Sequence, residues 1–203
     1  PGDSKEMVAA RRAFLSSGHY APVAQRLIEL VRPLTRVDSV IVDAGCGEGY
    51  YLEQLRAHLP ASRYSAPTVI GFDISKQAVQ AATRRFAATW LVASNRNIPL
   101  APGSVDCLFS LFGFPVFESF RTVLKDGGTL LTVNAGPQHL IELREILYPS
   151  VRYSASTVVT QAQAAGLSAG EIFSLQFKTA PLSQLEIQQL LGVGGMGAVF
   201  KVR

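Results

Sequence analysis

The stretch VDAGCGEGYY at residues 42–51 constrains the fold more than any other part of this sequence. Its start overlaps SVIVDAG, an apolar and β-branched run that predicts a short buried strand. Glycines at 45, 47 and 49 then allow a tight turn and a close approach of the backbone to a ligand. A glycine-rich turn that leaves the first strand of a parallel sheet is typical of a nucleotide-type binding site.

Strands and helices alternate along the rest of the chain, which predicts an α/β fold with a mainly parallel sheet. We expect about seven strands, the last of them antiparallel. We also expect a single domain over residues 1–203, with an N-terminal helical cap at 1–37 and a Rossmann-like core at 38–203. A helix at LSQLEIQQLL should separate the last two strands. The predicted strands after the first are TVIGFDIS, TWLVAS, SVDCLFSLF, TLLTVN, EIFSLQFK and AVFKVR.

Two classes of ligand compete for the glycine loop. A dinucleotide site requires the spacing G-x-G-x-x-G and places a pyrophosphate at the N-terminus of the following helix. Here Tyr50 stands where that spacing needs its last glycine, and Glu48 puts a negative charge at the pyrophosphate position. S-adenosylmethionine has no phosphate and carries a sulfonium and an ammonium, which Asp43 and Glu48 would attract. The residues favour the methyl donor, and a loop that only turns the chain is the remaining alternative.

A further acidic residue supports this interpretation. The second predicted strand ends at Asp73, 24 residues after Gly49. A carboxylate there can accept hydrogen bonds from both ribose hydroxyls of a nucleoside. The sequence therefore predicts an S-adenosylmethionine site, with S-adenosylhomocysteine as product, that includes Asp43, Gly45, Gly47, Glu48, Gly49, Asp73 and Ile74.

Charge and cysteine content exclude several other classes of protein. The formal charge is +4, with 19 Lys and Arg against 15 Asp and Glu, which permits a polyanionic partner without requiring one. Two cysteines, Cys46 and Cys107, predict neither a disulfide framework nor a four-cysteine zinc site. Because no apolar run reaches about 18 residues and the first residues lack a signal-peptide pattern, we expect no membrane span and a cytoplasmic location.

Several longer motifs resemble one family of methyltransferases. They are PGDSKEM, ARRAFLSSGHYAP, DAGCGEGYY, GFDISKQAV and GPQHLIEL, which occur in this order within residues 1–150. On these motifs the chain resembles the 23S ribosomal RNA (guanine-N1-)-methyltransferases, the group that includes tylosin-resistance enzymes. The resemblance implies a class I S-adenosylmethionine-dependent methyltransferase fold and a cytoplasmic enzyme that methylates guanine N1 in 23S rRNA.

The resemblance also implies roles for residues that would otherwise have plain structural interpretations. Tyr20 in GHY stands at a helix terminus and His139 in GPQHL at a helix start, and in the family both positions contact the cofactor. The family's zinc lies in a cysteine-rich module that precedes the PGDS motif. This chain begins at that motif, so we expect no metal site in it. The oligomeric state is open, with a homodimer as one arrangement.

Aromatic and basic side chains are the candidates for contacts with RNA. LFGFP at 111–115 follows the fourth predicted strand, where a target base should approach, and Phe112 and Phe114 can stack on a guanine. Packed core aromatics and a solvated basic face are the alternatives. The candidates for phosphate contacts are Arg11, Arg12, Arg84 and Arg85.

The predicted reaction is a direct in-line methyl transfer, in which the protein brings guanine N1 to near-attack distance. Neutral guanine carries a proton on N1, so a nearby base or an anion-stabilising dipole should help. The target base must leave its stack, which favours a hairpin loop as substrate. The candidates for the base are His139, Asp106 and Glu118.

A kinase-like glycine pattern and two other functions compete with this interpretation. GVGGMGAV at 192–199 fits the kinase pattern G-x-G-x-x-G-x-V, but neither H-R-D nor D-F-G occurs in the chain, and a kinase needs those metal and base residues. We therefore interpret these glycines as a loop before the last strand. Two alternatives stay open: a methyltransferase for a small metabolite, and a non-catalytic protein that binds the methyl donor or RNA.

Overall fold

Six of the predicted strands form one parallel sheet in a computed structural model of the chain. The structure describes residues 2–135, 141–148, 150, 158–167, 172–177, 187–194 and 197–202. The strands of the sheet are β1 (Val40–Ala44), β2 (Thr68–Asp73), β3 (Thr89–Val92), β4 (Val105–Leu111), β5 (Leu124–Ala135) and β6 (Ile172–Phe177). The helices are α1 (Lys5–Ser16), α2 (Ala21–Val31), α3 (Tyr50–Arg56), α4 (Lys76–Ala82), α5 (Phe117–Val123), α6 (Ile141–Leu147) and α7 (Val158–Ala164), with a short 3-10 turn at Arg32–Leu34.

The order of the strands determines where a ligand can bind. The sheet runs β3-β2-β1-β4-β5-β6, and every neighbouring pair in it is parallel. The chain moves outward from β1 to β3 on one side and then returns to place β4 on the other side of β1. This reversal is the topological switch point of a doubly wound fold, and ligands bind outside the carboxyl ends of the strands there.

The last two strands differ from the prediction. β7 (Ile187–Gly194) and β8 (Gly197–Val202) pair antiparallel with each other in a separate two-stranded sheet. The sequence placed AVFKVR in the main sheet and a helix over LSQLEIQQLL, but residues 187–191 of that segment are extended. Gly194 pairs with Gly197, so the last strand pairs with its neighbour in sequence instead of returning to the main sheet.

Side-chain caps fix the starts of two helices. Ser4 caps α1 by accepting a hydrogen bond from the amide of Met7 at 3.3 Å, and Ser75 caps α4 in the same way. The neighbouring carboxylate of Asp3 pairs with Arg11 rather than with the start of α1.

Helices cover both faces of the sheet, as a parallel sheet requires. On β1 and β4, Ile41 and Phe109 face a core formed with α2 and α3, while Val42 and Leu108 face a second core formed with α5 and α7. The alternation follows from the period of two in a strand. Within the described ranges, no helix has the length and hydrophobicity that crossing a bilayer requires.

Candidate cofactor-binding site

The glycine loop between β1 and α3 adopts a backbone conformation that side chains disfavour. Gly45, Gly47 and Gly49 have φ angles of 87°, 55° and 86°, in the left-handed region that glycine tolerates. The amides of Gly45 and Cys46 both donate to the carbonyl of Phe72 at 2.9 Å, which ties the loop to the end of β2. A Cβ added at Gly45 would meet no atom within 4 Å. The loop therefore presents its backbone to open space at the carboxyl edge of the sheet.

The indole of Trp90 lies behind this loop. A Cβ added at Gly49 would be 2.8 Å from the ring, and one added at Gly71 on β2 would be closer still. Trp90 also donates from Nε1 to the carbonyl of Phe86 at 3.3 Å. Its ring is what requires glycine at two positions beside the site and what supports the loop from below.

Asp73 at the end of β2 connects the glycine loop to the start of α4. Its Oδ2 accepts a hydrogen bond from the amide of Gly47 at 2.9 Å, and its Oδ1 accepts one from the amide of Ser75 at 2.8 Å. A carboxylate offers about four acceptor positions, so both oxygens retain capacity for a vicinal diol. Asp73, which the sequence predicts to bind the ribose, thus lies beside the glycine loop.

Asp43 near the end of β1 is a buried carboxylate with spare acceptor capacity. Its side chain is 2% exposed, and its Oδ2 has no hydrogen-bond partner within the described part of the chain. Burial raises the pKa of Asp43 well above its ordinary value, and the nearby charge of Asp73 raises it further. An unpartnered buried carboxyl group is costly, so a ligand cation here would relieve that cost. The donor set fits the positively charged end of S-adenosylmethionine.

Glu48, also in the loop, is in the protein interior and has a partner already. It is 1% exposed and forms an ion pair with Arg85, whose Nε donates to the carboxylate at 2.7 Å and to the Glu48 carbonyl at 2.8 Å. Arg85 also pairs with Glu53. Burial raises the pKa of Glu48, and the positive charge of Arg85 opposes that rise. One carboxylate oxygen of Glu48 is thus paired with Arg85, while Oε1 has no hydrogen-bond partner among the described residues. Arg85 is corrected from a phosphate contact to the ion-pair partner of two carboxylates.

Aromatic side chains form one wall near the ends of β1 and β4. Tyr20 packs edge-on against Phe14 and Phe112, with ring centroids 5.5 Å and 5.7 Å apart. Burial raises the pKa of Tyr51, and its neighbours Tyr20 and Asp43 are among the groups that raise it further. The predicted cofactor residue Tyr20 and the buried Asp43 are thus both within electrostatic range of the Tyr51 hydroxyl. Phe112, with a φ of 56°, is part-buried in this wall, which fits packing as well as stacking.

Three apolar side chains are exposed after the carboxyl ends of successive strands. Ile74 follows β2, Val92 ends β3 and Phe114 follows β4, and their exposed fractions are 61%, 57% and 63%. Asn95 donates to the carbonyl of Phe114 at 2.7 Å, which holds that segment against the turn after β3. Exposed apolar surface beside an open loop suits a flat aromatic ligand group.

The structure separates the candidates for the general base. Asp106 is at the amino end of β4, where its carboxylate accepts from the amide of Val40 and from Nζ of Lys125, each at 2.8 Å. That end is opposite the glycine loop, so Asp106 is corrected from a catalytic to a structural residue. Glu118 is exposed in the first turn of α5, on the same edge as the loop. His139 lies outside the described residues.

The remaining arginine predictions divide by position. Arg12 and Arg84 are exposed, which is compatible with phosphate contacts. Arg11 pairs with Asp3, and its Nη1 is 3.9 Å from where a Cβ on Gly47 would be. Arg11 thus lies against the glycine loop.

Sequence reasoning missed the side chains that support the glycine loop. The pairing of Arg85 with Glu48 was not foreseen, although a charged residue inside a buried glycine loop signals the need for a partner of opposite charge. The contact of Gly2 with Ser75, where a Cβ on Gly2 would be 2.6 Å from the serine Cα, left no signal in the sequence.

Comparison with known proteins bears on this geometry. A family model described as "Methyltransferase domain" matches residues 41–128, which include the glycine loop, Asp73 and β4. The chain carries a methyltransferase domain.

The resemblance to 23S rRNA (guanine-N1-)-methyltransferases is confirmed by curated relatives. The Streptomyces fradiae 23S rRNA (guanine(748)-N(1))-methyltransferase is 32% identical over 149 residues, which cover 71% of this chain and 51% of the relative. A Micromonospora griseorubida protein named for 23S rRNA (guanine-N1-) methylation is 34% identical over 160 residues, which cover 70% of this chain and 52% of the relative.

The chain also has relatives with another named substrate. A malonyl-[acyl-carrier protein] O-methyltransferase from Xylella fastidiosa is 33% identical over 156 residues, which cover 66% of this chain and 51% of the relative. The chain spans about half the length of the curated relatives that it matches.

Solved structures confirm the predicted fold class. An S-adenosyl-L-methionine-dependent methyltransferase from Methanococcus maripaludis aligns with a TM-score of 0.60 at 16% identity, covering 98% of this chain and 94% of the other. A chain from the complex of the Haloferax volcanii Trm112 methyltransferase activator with a methyltransferase aligns with a TM-score of 0.62 at 23% identity, covering 82% and 77%. The fold is that of class I S-adenosylmethionine-dependent methyltransferases.

Proposed function

We propose that this chain transfers a methyl group from S-adenosylmethionine to N1 of a guanine in a hairpin loop of 23S rRNA. The observation that carries the cofactor half of the proposal is the open glycine loop between two carboxylates, Asp43 and Asp73. The RNA half is supported by the named relatives, by the basic balance of the chain and by the exposed Arg12 and Arg84.

The residues present offer a contact for each part of the cofactor. Asp43 would face its positively charged groups, Asp73 would accept hydrogen bonds from the ribose hydroxyls, and Ile74 would pack against the adenine. The backbone of Gly45 and Gly47 allows close approach, and Tyr20 would close the aromatic side of the site. When bound, the cofactor supplies a methyl group on a sulfonium, which is already a good leaving group.

The protein's part in the reaction would be to position the base and exclude water. Phe114, 63% exposed after β4, is placed to stack on a guanine that has left its RNA stack, beside the wall that contains Phe112. Orienting N1 toward the methyl group can supply several kcal/mol of the barrier reduction. Of the candidates for the N1 proton acceptor, Glu118 and His139 remain.

The second candidate function is methyl transfer to a carboxyl group on an acyl carrier protein. The relatives that carry this name match at nearly the same identity and coverage as those named for 23S rRNA. A methyltransferase for a small metabolite and a non-catalytic binding protein are compatible with the same cofactor loop. The formal charge of +4 favours a polyanionic substrate, but it does not by itself distinguish RNA methylation from these three alternatives.

The test is transfer of a tritiated methyl group from S-adenosylmethionine into three separate pools: 23S rRNA, acyl carrier proteins carrying malonyl groups, and small metabolites. Label in RNA supports the proposal, and label only in carrier protein or metabolites overturns its substrate half. Isothermal titration with NAD provides the cofactor control. Micromolar NAD binding without any response to S-adenosylmethionine would overturn the cofactor half.

A further inference from the structure

The amino-acid end of S-adenosylmethionine carries a carboxylate as well as an ammonium. The site described so far supplies negative groups, Asp43 and Asp73, which suit the cations of the cofactor but repel its carboxylate. A compact ligand with both charges needs a positive group within a few ångströms of the glycine loop. The basic residues of α1 are candidates for this positive group.

Two successive arginines of helix α1, Arg11 and Arg12, lie near the glycine loop, and their environments differ. Nη1 of Arg11 is 3.9 Å from the position that a Cβ on Gly47 would take. Arg12 is exposed, and its charge is among those that oppose the burial-driven rise in the pKa of Glu48. Arg85, the third arginine near the loop, is committed to Glu48 and Glu53 and is only 7% exposed. Arg11 is therefore the arginine whose guanidinium lies against the loop, at Gly47.

The present partner of Arg11 is itself a carboxylate. Asp3 pairs with Nη1 of Arg11, and the two side chains are 24% and 35% exposed, so the pair is accessible to solvent. Such a pair contributes little to stability, because solvent screens a partly exposed ion pair. A ligand carboxylate can therefore replace Asp3 at small cost. The guanidinium of Arg11 is thus positioned to pair with a carboxylate, and in this structure that carboxylate is the one of Asp3.

Asp3 belongs to a segment that packs against Ser75, two residues after Asp73. The carbonyl of Asp3 accepts a hydrogen bond from Oγ of Ser75 at 3.4 Å, and Gly2 packs directly on the backbone of Ser75. The amide of Ser75 in turn donates to Asp73, the predicted ribose ligand. Residues 2–6 and 74–77 together line an open cleft of about 590 Å³. Asp3 and Ile74, which is proposed to pack against the adenine, both belong to that lining.

We propose that Arg11 is the receptor for the carboxylate of the methyl donor, and that this carboxylate displaces Asp3 from it. The inference rests on the proposed use of S-adenosylmethionine and adds a residue that the sequence had assigned to RNA. Arg11 then fixes the amino-acid end of the donor and leaves phosphate contacts to Arg12 and Arg84. Asp3 acts as an internal competitor that lowers the apparent affinity for the donor.

The test compares two ligands that differ only in this carboxylate: S-adenosylmethionine and its decarboxylated form. Isothermal titration is performed with the wild type and with Arg11→Met, Arg12→Met and Asp3→Asn. Arg11→Met should weaken binding of S-adenosylmethionine by about ten- to a hundredfold, since a charge-assisted pair is lost. The same variant should bind the decarboxylated ligand as the wild type does, which also shows that its pocket is folded.

The other two variants complete the comparison. Arg12→Met is the matched control, one residue along the same helix, and should leave both affinities within about twofold. Asp3→Asn should strengthen binding of S-adenosylmethionine several-fold and leave the decarboxylated ligand unchanged, because the competing carboxylate is gone.

The outcomes separate this inference from the proposed function. Equal losses of both ligands in Arg11→Met, or no loss of either, would overturn the role of Arg11 while S-adenosylmethionine binding by the wild type stands. If the wild type binds neither ligand, the proposed function itself fails. RNA binding supplies a further readout: Arg11→Met should leave its salt dependence unchanged, and a slope reduced by about 0.7–0.9 would return Arg11 to the phosphate backbone.

Discussion

Replacing Arg85 with Met tests the interpretation of the glycine loop most sharply. The guanidinium of Arg85 is the partner of Glu48, with Nε 2.7 Å from the carboxylate and 2.8 Å from the Glu48 carbonyl. Methionine keeps much of the volume of the side chain and removes its charge and donors. The variant therefore leaves a carboxylate without a partner in the interior.

The size of the effect follows from burial. Removing one partner of a buried ion pair costs about 3–5 kcal/mol, and the pair qualifies because Arg85 is 7% exposed and Glu48 1%. Glu53, the second partner, is 34% exposed, so its contribution stays below about 1 kcal/mol. We expect Arg85→Met to lower the free energy of unfolding by about 3–5 kcal/mol, from a total of about 5–15 kcal/mol for a domain.

The assay is chemical unfolding in urea with two companion variants. Arg84→Met changes the exposed neighbour and should stay within about 0.5 kcal/mol of the wild type. The double variant Glu48→Gln with Arg85→Met removes the unpaired charge and should recover about half of the loss or more. Because Glu48 is held by Arg85 in the wild type, we expect this double variant to bind S-adenosylmethionine within a few-fold of the wild type.

The loss in Arg85→Met should depend on pH in a defined direction. Burial raises the pKa of Glu48, and without Arg85 the pKa in the folded state rises further above the unfolded value. The folded state then binds more protons between the two pKa values, so stability falls as pH rises through that window. Relative to the wild type, the loss should be smaller near about pH 4.5 than near about pH 8. A loss equal to that of Arg84→Met at every pH would refute the reasoning.

Three further predictions concern the site. Asp73→Ala should lower the affinity for S-adenosylmethionine at least about tenfold by calorimetry, since hydrogen bonds to a charged acceptor are worth about 1.5–3 kcal/mol each; unchanged affinity in a folded variant would remove Asp73 from the site. Gly49→Ala should lower stability in thermal unfolding by about 1–3 kcal/mol, because its φ is 86° and the ring of Trp90 is 2.8 Å from the new Cβ; a stabilised variant would contradict that packing. Asp106→Asn should keep methyl transfer within a few-fold of the wild type, because the carboxylate pairs with Lys125 at the opposite end of the sheet; a loss of several orders of magnitude would restore it as a catalytic candidate.

Local patterns in the sequence predicted the carboxyl edge of β1 and β2 well. Glycine spacing reports backbone conformation directly, and all three loop glycines do have positive φ angles. Asp73 was placed correctly at the end of β2 because an apolar run followed by one acid has few other interpretations.

Partners distant in the chain could not be predicted in the same way. Glu48 and Arg85 are 37 residues apart in the chain. The sequence around Glu48 does not indicate that its carboxylate points inward, toward an arginine that follows α4. Asp106 was misjudged because the sequence indicates the strand but not which of its ends carries the site. The β7–β8 hairpin was misjudged because QLEIQQLL has helical periodicity, while the glycine pair at its end favours extended pairing.

The most direct test of the central claim is the chemical identity of the methylated product. The chain is incubated with S-adenosylmethionine and 23S rRNA, the RNA is digested to nucleosides, and the nucleosides are separated by mass spectrometry against standards. The account predicts 1-methylguanosine that is absent without the protein and reduced in Asp73→Ala. Methylation of another nucleoside, or methylated carrier protein with unmodified RNA, would contradict it.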